Sequence, residues 1–314
     1  MIRLLAFALL LALTAPAAAE YPDRPVRLII PFPPGGSNDV VGRLVANQLS
    51  EKLGHKVFVD NRGGAGGVLG TEAAAAAAPD GYTLLIVSIA HAVNPALYKL
   101  NYDPIKSFTP ISILATGPNV LAVNPALPVK TVAELVKLAK EKPGELDYAS
   151  AGVGSFQHLG GELFKLTAGV NLQHVPYKGG GPAMADVLAG HVPCYFGNLN
   201  EIIPHAGGGR IKVLAVSGER RAPQLPQVPT VAEQGYPGFR TLTWNGYVAP
   251  AATPRPVIER IAREIAAGCK DAAFAERLNK IGVDAVCSTP AEFAQAIRDD
   301  LVTWKEAVQA AETK

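Results

Sequence analysis

Short apolar runs alternate with helical patterns along most of this 314-residue chain. The runs at residues 26–30, 83–87 and 212–216 have the length and composition of buried strands. Capping boxes begin two of the helical patterns, at Thr131 to Glu134 and at Thr289 to Glu292. The alternation predicts an α/β fold with mainly parallel sheets. In such folds ligands bind in the turns at the carboxyl ends of strands, so those turns are the candidate sites.

The first 19 residues have the pattern of a secretory signal. Arg3 precedes an apolar run at residues 4–13, Pro16 breaks the run, and Ala17 to Ala19 form an A-x-A cleavage site. A membrane span needs about 18 apolar residues, more than this run contains. We therefore expect export and cleavage after Ala19, which leaves 314 − 19 = 295 residues. That length fits two domains better than one.

Composition excludes several classes of function. Without Arg3 the chain has 28 basic and 27 acidic residues, so it offers no electrostatic surface for nucleic acid. Three cysteines are too few for a disulfide scaffold. Cys194 lies in a strand-like run and is expected to be buried, while Cys269 and Cys287 either form a disulfide or remain two separate thiols. The histidines lack metal-ligand spacing, so we expect no metal site and no cofactor.

The first strand-to-helix turn, residues 31–39 (PFPPGGSND), is the strongest candidate for a binding site. Its paired glycines, Gly35 and Gly36, permit positive φ and a close approach of a ligand to the backbone. Ser37, Asn38 or Asp39 can cap the following helix. Free N–H groups at a helix start attract a carboxylate or a phosphate. An ordinary turn without a ligand is the alternative.

Other glycine-rich turns repeat this design with weaker signals. The turn from Gly64 to Gly70 resembles a dinucleotide fingerprint, but Leu69 replaces the expected glycine, which favours a tight packing turn. The turn from Ser150 to Ser155 matches neither a Walker motif nor a nucleophile elbow. His158 follows that turn and could pair with Ser155, although no carboxylate is placed to orient its ring.

Further polar groups follow other strands. His91 comes just after the strand at 83–87, Tyr177 and Lys178 lie in another glycine-rich turn, and Asn198 ends a later strand. Together the turns offer glycine, hydroxyl and amide groups without a clear acid–base pair or nucleophile. The pattern favours binding over catalysis. A hydrolase that uses Ser155 and His158 stays open as the alternative.

A set of short motifs follows in order along essentially the whole mature chain, and each alone is weak. They are YPxRP at 21–25 leading into PFPPGG at 31–36, NRxGAGG at 61–67, PDGYTL at 79–84, NPALY at 94–98, YASxGxGSxxHL at 148–159, VPYKG at 175–179 and VPTVAE at 228–233. As an ordered set these motifs resemble the Bug/TctC family, the periplasmic solute receptors of tripartite tricarboxylate transporters.

The resemblance implies a two-domain α/β fold of the type II periplasmic binding-protein class, with a ligand cleft between the domains. Two crossings, near residues 124–128 and 237–244, divide the chain into residues 20–123 plus 245–314 and residues 124–244. The implied partners are a small organic acid and the membrane permease of such a transporter. We expect a periplasmic monomer that closes about a hinge on its ligand.

The family's binding positions carry over to two turns and the loop between them. The implied residues are Phe32, Gly35, Gly36, Ser37 and Asp39, then Ser88, Ala90 and His91, then Ser150, Gly154, Ser155 and His158. The polar groups that follow the later strands add Tyr177, Lys178 and Asn198 to the candidates. In one departure, Gly197 precedes Asn198 where the family often has aspartate. Loss of that carboxylate is expected to change which polar group of the ligand is recognised.

Formal charge limits the ligand. Lys178 is the only cation in the candidate loops, so backbone dipoles must supply most of the attraction. We therefore expect one or two carboxylates on the ligand rather than citrate. Asp39 either repels a further anionic group, accepts a hydrogen bond from an amine or hydroxyl on the ligand, or caps its helix. Dicarboxylates, tricarboxylates, aromatic acids, amino acids and neutral vitamins such as nicotinamide all remain candidates.

Overall fold

The computed structural model describes residues 21–312, and the predicted signal at 1–19 lies outside the described residues. The strands are β1 (Val26–Ile30), β2 (Val57–Asn61), β3 (Thr83–Ser88), β4 (Phe108–Val123), β5 (Asp147–Ser150), β6 (Gln173–Pro176), β7 (Cys194–Asn198), β8 (Lys212–Val216), β9 (Leu242–Pro250) and β10 (Asp284–Ala285). The helices are α1 (Ser37–Leu53), α2 (Val68–Ala75), α3 (Ala90–Leu97), α4 (Val132–Glu141), α5 (Phe156–Ala168), α6 (Gly180–Ala189), α7 (Leu199–Ala206), α8 (Arg255–Cys269), α9 (Ala272–Lys280) and α10 (Pro290–Glu312).

The strands form one continuous sheet in the order β2-β1-β3-β9-β4-β7-β5-β6, with β8 and β10 also paired to β4. The outer strands are parallel, as predicted: β1 pairs with β2 and β3, and β5 pairs with β6 and β7. The central pairs that involve β4 and β9 are antiparallel. The prediction of mainly parallel sheets is therefore correct for the two flanks of the sheet and wrong for its middle, where the chain crosses over and returns.

Strand β4 links the two flanks. The sequence predicts two separate runs here, at 111–114 and 120–123, because proline and glycine interrupt the pattern. The structure instead has one strand of 16 residues. Two register shifts against β9, after Pro110 and after Ile113, let the strand continue past Pro110. Its first part pairs with β9, and its last residues pair with β7 and β8.

The apolar core follows the same division. Two clusters pack on the flank that holds β1 and β3, and they also take in side chains of α8 to α10. Two further clusters lie on the flank that holds β5 and β7, and they begin at Val120 of β4. Phe156 of α5 crosses over and packs with the first flank. The limits of the two domains stay a prediction, which this division of the core supports.

Local features of the sequence explain two helix starts, and the structure adds one covalent link. Thr131 and Thr289 accept hydrogen bonds from the N–H groups of Glu134 and Glu292, as their motifs predict. Cys269 and Cys287 form a disulfide with Cα atoms 6.2 Å apart, and Cys194 is buried. None of the helices in the described range is both long and apolar enough to cross a membrane.

Candidate functional site

Strand ends from both flanks of the sheet surround a cavity of about 30 Å³. A space of that size holds roughly two water molecules, so an organic acid fits only if the walls move. Phe156 lies in the wall together with hydroxyl, amide and carboxylate groups. Seven predicted residues line it: Phe32, Gly36, Ser37, Ser88, Ala90, Ser155 and Asn198.

The β1–α1 turn forms one wall. Gly35 has φ +87°, which favours glycine, and Gly36 is the N-cap of α1, where no side chain accepts a capping bond. Asp39 does not face the cavity. Its carboxylate accepts hydrogen bonds from Gly35 N at 3.0 Å and from Arg43 Nε and Asn61 Nδ2, both at 2.9 Å. Burial raises the pKa of Asp39, but these hydrogen bonds outweigh it and lower the pKa. Asp39 therefore fixes the turn.

The missing cap of α1 is supplied from the other flank. Glu201, in the first turn of α7, is 5 % exposed and lines the cavity. Its Oε1 accepts a hydrogen bond from Ser37 N at 2.9 Å, and its Oε2 accepts from Tyr195 Oη at 2.8 Å and from Asn198 N at 3.0 Å. Gln157 Nε2 lies 3.3 Å from both oxygens. A carboxylate thus already occupies the helix N-terminus that the sequence predicts as an anion site.

The β5–α5 turn forms the opposite wall and caps itself. Ser155 is the N-cap of α5, and its hydroxyl accepts a hydrogen bond from His158 N at 3.2 Å. The His158 ring faces Gly154, whose N–H donates to Nδ1 at 3.3 Å. The His158 ring makes no hydrogen bond to the Ser155 hydroxyl, so the two are not arranged as nucleophile and base. The geometry does not favour the hydrolase alternative.

A pair of stacked imidazoles lies behind this turn. The His158 and His174 ring centroids are 4.2 Å apart, and Ser150 Oγ lies 2.6 Å from His174 Nε2. Desolvation by burial lowers the pKa of His158, and it lowers that of His174 to about 4, with a further contribution from the charge of His158. Both rings are therefore neutral at pH 7 and support the turn by packing and hydrogen bonding.

Eight predicted residues do not line the cavity: Gly35, Asp39, His91, Ser150, Gly154, His158, Tyr177 and Lys178. Gly35, Asp39, Ser150, Gly154 and His158 belong to or support the two turns. His91 is buried beside Tyr102 and Phe108, with Nε2 2.9 Å from Pro104 O.

The last two of these eight residues, Tyr177 and Lys178, face away from the cavity. Tyr177 Oη donates to Asp186 Oδ2 at 2.6 Å, and Lys178 is exposed. The predicted cation therefore does not reach the cavity wall.

The turn from Gly64 to Gly70 has a packing role. A Cβ at Gly70 would lie 2.6 Å from Arg62 O and 2.7 Å from the Cα of Pro31, so only glycine fits between the two chain segments. Close packing of helix α2 on β1 accounts for this glycine without a nucleotide.

Sequence reasoning missed eight lining residues: Asn38, Ala151, Phe156, Gln157, Gly180, Glu201, Thr243 and Asn245. One signal was available for Glu201, since Asn198 and Glu201 have the three-residue spacing of a capping box. No local signal points to Thr243 and Asn245. They lie on β9, which reaches the site only because it returns antiparallel to β3 and β4.

Comparison with known proteins identifies the class. Residues 41–312 match the tripartite tricarboxylate transporter family receptor, TctC. Protein BugT of Bordetella pertussis is 38 % identical over 301 residues, which cover 95 % of this chain and 92 % of BugT. The family match and the identity to BugT both show the family, and this chain belongs to it. Its members are periplasmic solute-binding receptors and not enzymes.

Two solved structures with ligands resemble this one. R. palustris Rpa4515, described with adipate, has a TM-score of 0.91 and 34 % identity, with 93 % of this chain and 99 % of that chain covered. MatC from Rhodopseudomonas palustris, described with bound malate, has a TM-score of 0.86 and 30 % identity, with 92 % and 100 % covered. The fold is accordingly the two-domain α/β fold of periplasmic binding proteins, as predicted.

Proposed function

We propose that this protein binds one small organic carboxylate in the cavity between its two flanks and delivers it to the permease of a tripartite tricarboxylate transporter. One observation carries the proposal: strand ends from both flanks bring the hydroxyls of Ser37, Ser88 and Ser155 together around one cavity. The adipate and malate of the two similar structures support the same ligand class.

Binding requires a hinge. The cavity is too small for an organic acid as it stands, and its walls come from residues 32–90 and 243–245 on one side and 151–201 on the other. Separation of these walls admits the ligand, and contacts to both walls favour closure over it. The hinge lies where β4 and β9 join the two predicted domains, residues 20–123 plus 245–314 and residues 124–244.

Cleavage after Ala19 places a monomeric protein in the periplasm. Mass spectrometry of protein recovered from the periplasm tests the predicted cleavage site, and sedimentation tests the monomer. A mature chain that begins at a residue other than Glu20 would contradict the cleavage site alone.

Calorimetric titration of the mature protein with mono-, di- and tricarboxylates tests the binding proposal. We expect at least one acid with one or two carboxylates to bind, and citrate to bind more weakly. Ser155→Ala removes a hydroxyl from the wall and should weaken binding by about 0.5 to 1.5 kcal/mol. Thr167→Ala, an exposed hydroxyl on the same helix, is the matched control. No heat and no thermal stabilisation with any of the acids would overturn the proposal.

A further inference from the structure

The cavity wall contains a buried carboxylate without a cationic partner. Four neutral groups donate hydrogen bonds to the Glu201 carboxylate: Ser37 N, Asn198 N, Tyr195 Oη and Gln157 Nε2. Among the described residues, none that lines the cavity is Lys, Arg or His. Four neutral donors engage both oxygens, which is the bonding pattern of a carboxylate, and no side-chain charge compensates it.

Two glycines leave space for the Glu201 carboxylate and for the tyrosine that donates to it. A Cβ at Gly180 would lie 2.2 Å from Glu201 Oε1, so glycine is needed at the start of α6. A Cβ at Gly197 would lie 2.0 Å from the ring of Tyr195, whose hydroxyl donates to Glu201. The position of the carboxylate is therefore determined by packing.

The wall also presents separate donors and acceptors. The hydroxyls of Ser37, Ser88 and Ser155 each accept an N–H hydrogen bond, which leaves each O–H hydrogen for a ligand carboxylate. The side-chain oxygen of Asn245 is buried and has no partner among the described residues. It is an acceptor on a residue that lines the cavity, and a hydrogen-bond donor on the ligand would satisfy it.

From these observations, and resting on the proposed function, we infer that Glu201 determines specificity. It selects a ligand with a single carboxylate plus a hydrogen-bond donor, an amide, amine or hydroxyl, and it disfavours a second carboxylate. The reason is Coulombic. The three serine hydroxyls can donate to the first ligand carboxylate, whereas a second carboxylate would be a further anion beside Glu201 in one small cavity, where little water remains to screen the repulsion.

Matched ligand pairs isolate the charge. Malonate, succinate, glutarate and adipate are each compared with their monoamides, which replace one carboxylate by a neutral donor of the same size. For the mature wild-type protein we expect calorimetry to give about tenfold or tighter binding of the monoamide in any pair that binds. Glu201→Gln should bring that ratio close to one. Glu219→Gln, which removes an exposed carboxylate paired with Arg240, should keep the wild-type ratio.

The outcomes separate the two proposals. Dicarboxylates that bind the wild-type protein as tightly as their monoamides would overturn the role of Glu201, while the proposed function would stand. The wild-type ratio decides this even if Glu201→Gln does not fold. Binding of no acid and no monoamide would overturn the proposed function and this inference with it. An unchanged ratio in folded Glu201→Gln would also refute the inference.

Discussion

The β1–α1 and β5–α5 turns look alike in sequence but satisfy their helix starts in different ways. Both have small residues after a strand and lie at the cavity. Ser155 caps α5 from within its own turn, by accepting from His158 N. Helix α1 has Gly36 at its N-cap and receives a carboxylate from Glu201, 164 residues away along the chain. A local cap holds one turn, whereas the contact across the cavity couples the other to the opposite flank.

The largest expected effect comes from breaking the long-range contact. Glu201→Ala leaves Ser37 N, Asn198 N and Tyr195 Oη buried without their acceptor. Each such group costs about 1 to 3 kcal/mol, so we expect a loss of about 3 kcal/mol or more in the free energy of unfolding. Urea denaturation measures it. A loss no greater than that of Ser155→Ala would show that the two turns are held equally.

Acid should affect the β5–α5 turn more than the β1–α1 turn. Folding lowers the pKa of His174 from 6.5 to about 4. As the pH falls, the unfolded chain therefore binds a proton at this histidine before the folded chain does. Stability is therefore fully present above about pH 6.5 and is lost as the pH falls toward 4, by about 1 to 2 kcal/mol for this partly exposed ring after a discount for solvent screening. Buried His91, with its pKa also lowered to about 4, adds a similar loss in the same window.

A substitution separates the contribution of His174. His174→Gln should reduce the loss of stability between pH 6.5 and 4. Hydrogen exchange, corrected for the slower intrinsic exchange at low pH, should show lower protection factors for the amides of residues 151–158 at pH 5 than at pH 7, while those of 35–39 stay protected. Equal acceleration in both turns would remove this distinction between them.

Loss of the local Ser155 cap of α5 should lower the free energy of unfolding by less than loss of the Glu201 contact. Ser155→Ala removes the acceptor for His158 N and should lower the free energy of unfolding by about 1 kcal/mol, whereas Ser155→Thr should retain most of it. Thermal unfolding of both variants measures the difference. If the threonine variant loses as much as the alanine variant, the hydroxyl does not act as a cap.

The smallest effect concerns Asp39. Asp39→Asn keeps one acceptor oxygen but weakens the bonds to Gly35 N and Arg43, so we expect about 0.5 to 1 kcal/mol less stability. The preference between a dicarboxylate and its monoamide should not change, because Asp39 does not line the cavity. A changed preference at constant melting temperature would identify Asp39 as a selector instead.

Local sequence predicted much of the site because its physics is local. Phe32, Gly36, Ser37, Ser88, Ala90, Ser155 and Asn198 lie where a strand ends and a helix begins, and each such junction carries its own glycine, hydroxyl or amide signal. The sequence does not predict whether the side chains of Asp39 and His158 line the cavity. Both are near the predicted turns, but whether a side chain reaches the cavity or supports the turn depends on its partners.

By itself the sequence determined the alternation of strands and helices that defines the α/β class, the strand-to-helix turns, and the caps at Thr131 and Thr289. Each of these depends on residues within a few positions of one another. Only the tertiary structure decided the antiparallel centre of the sheet, the pairing of Cys269 with Cys287, and the carboxylate of Glu201 at the start of α1. These contacts join residues far apart in the chain, and their formation depends on how the flanks pack, which no local pattern encodes.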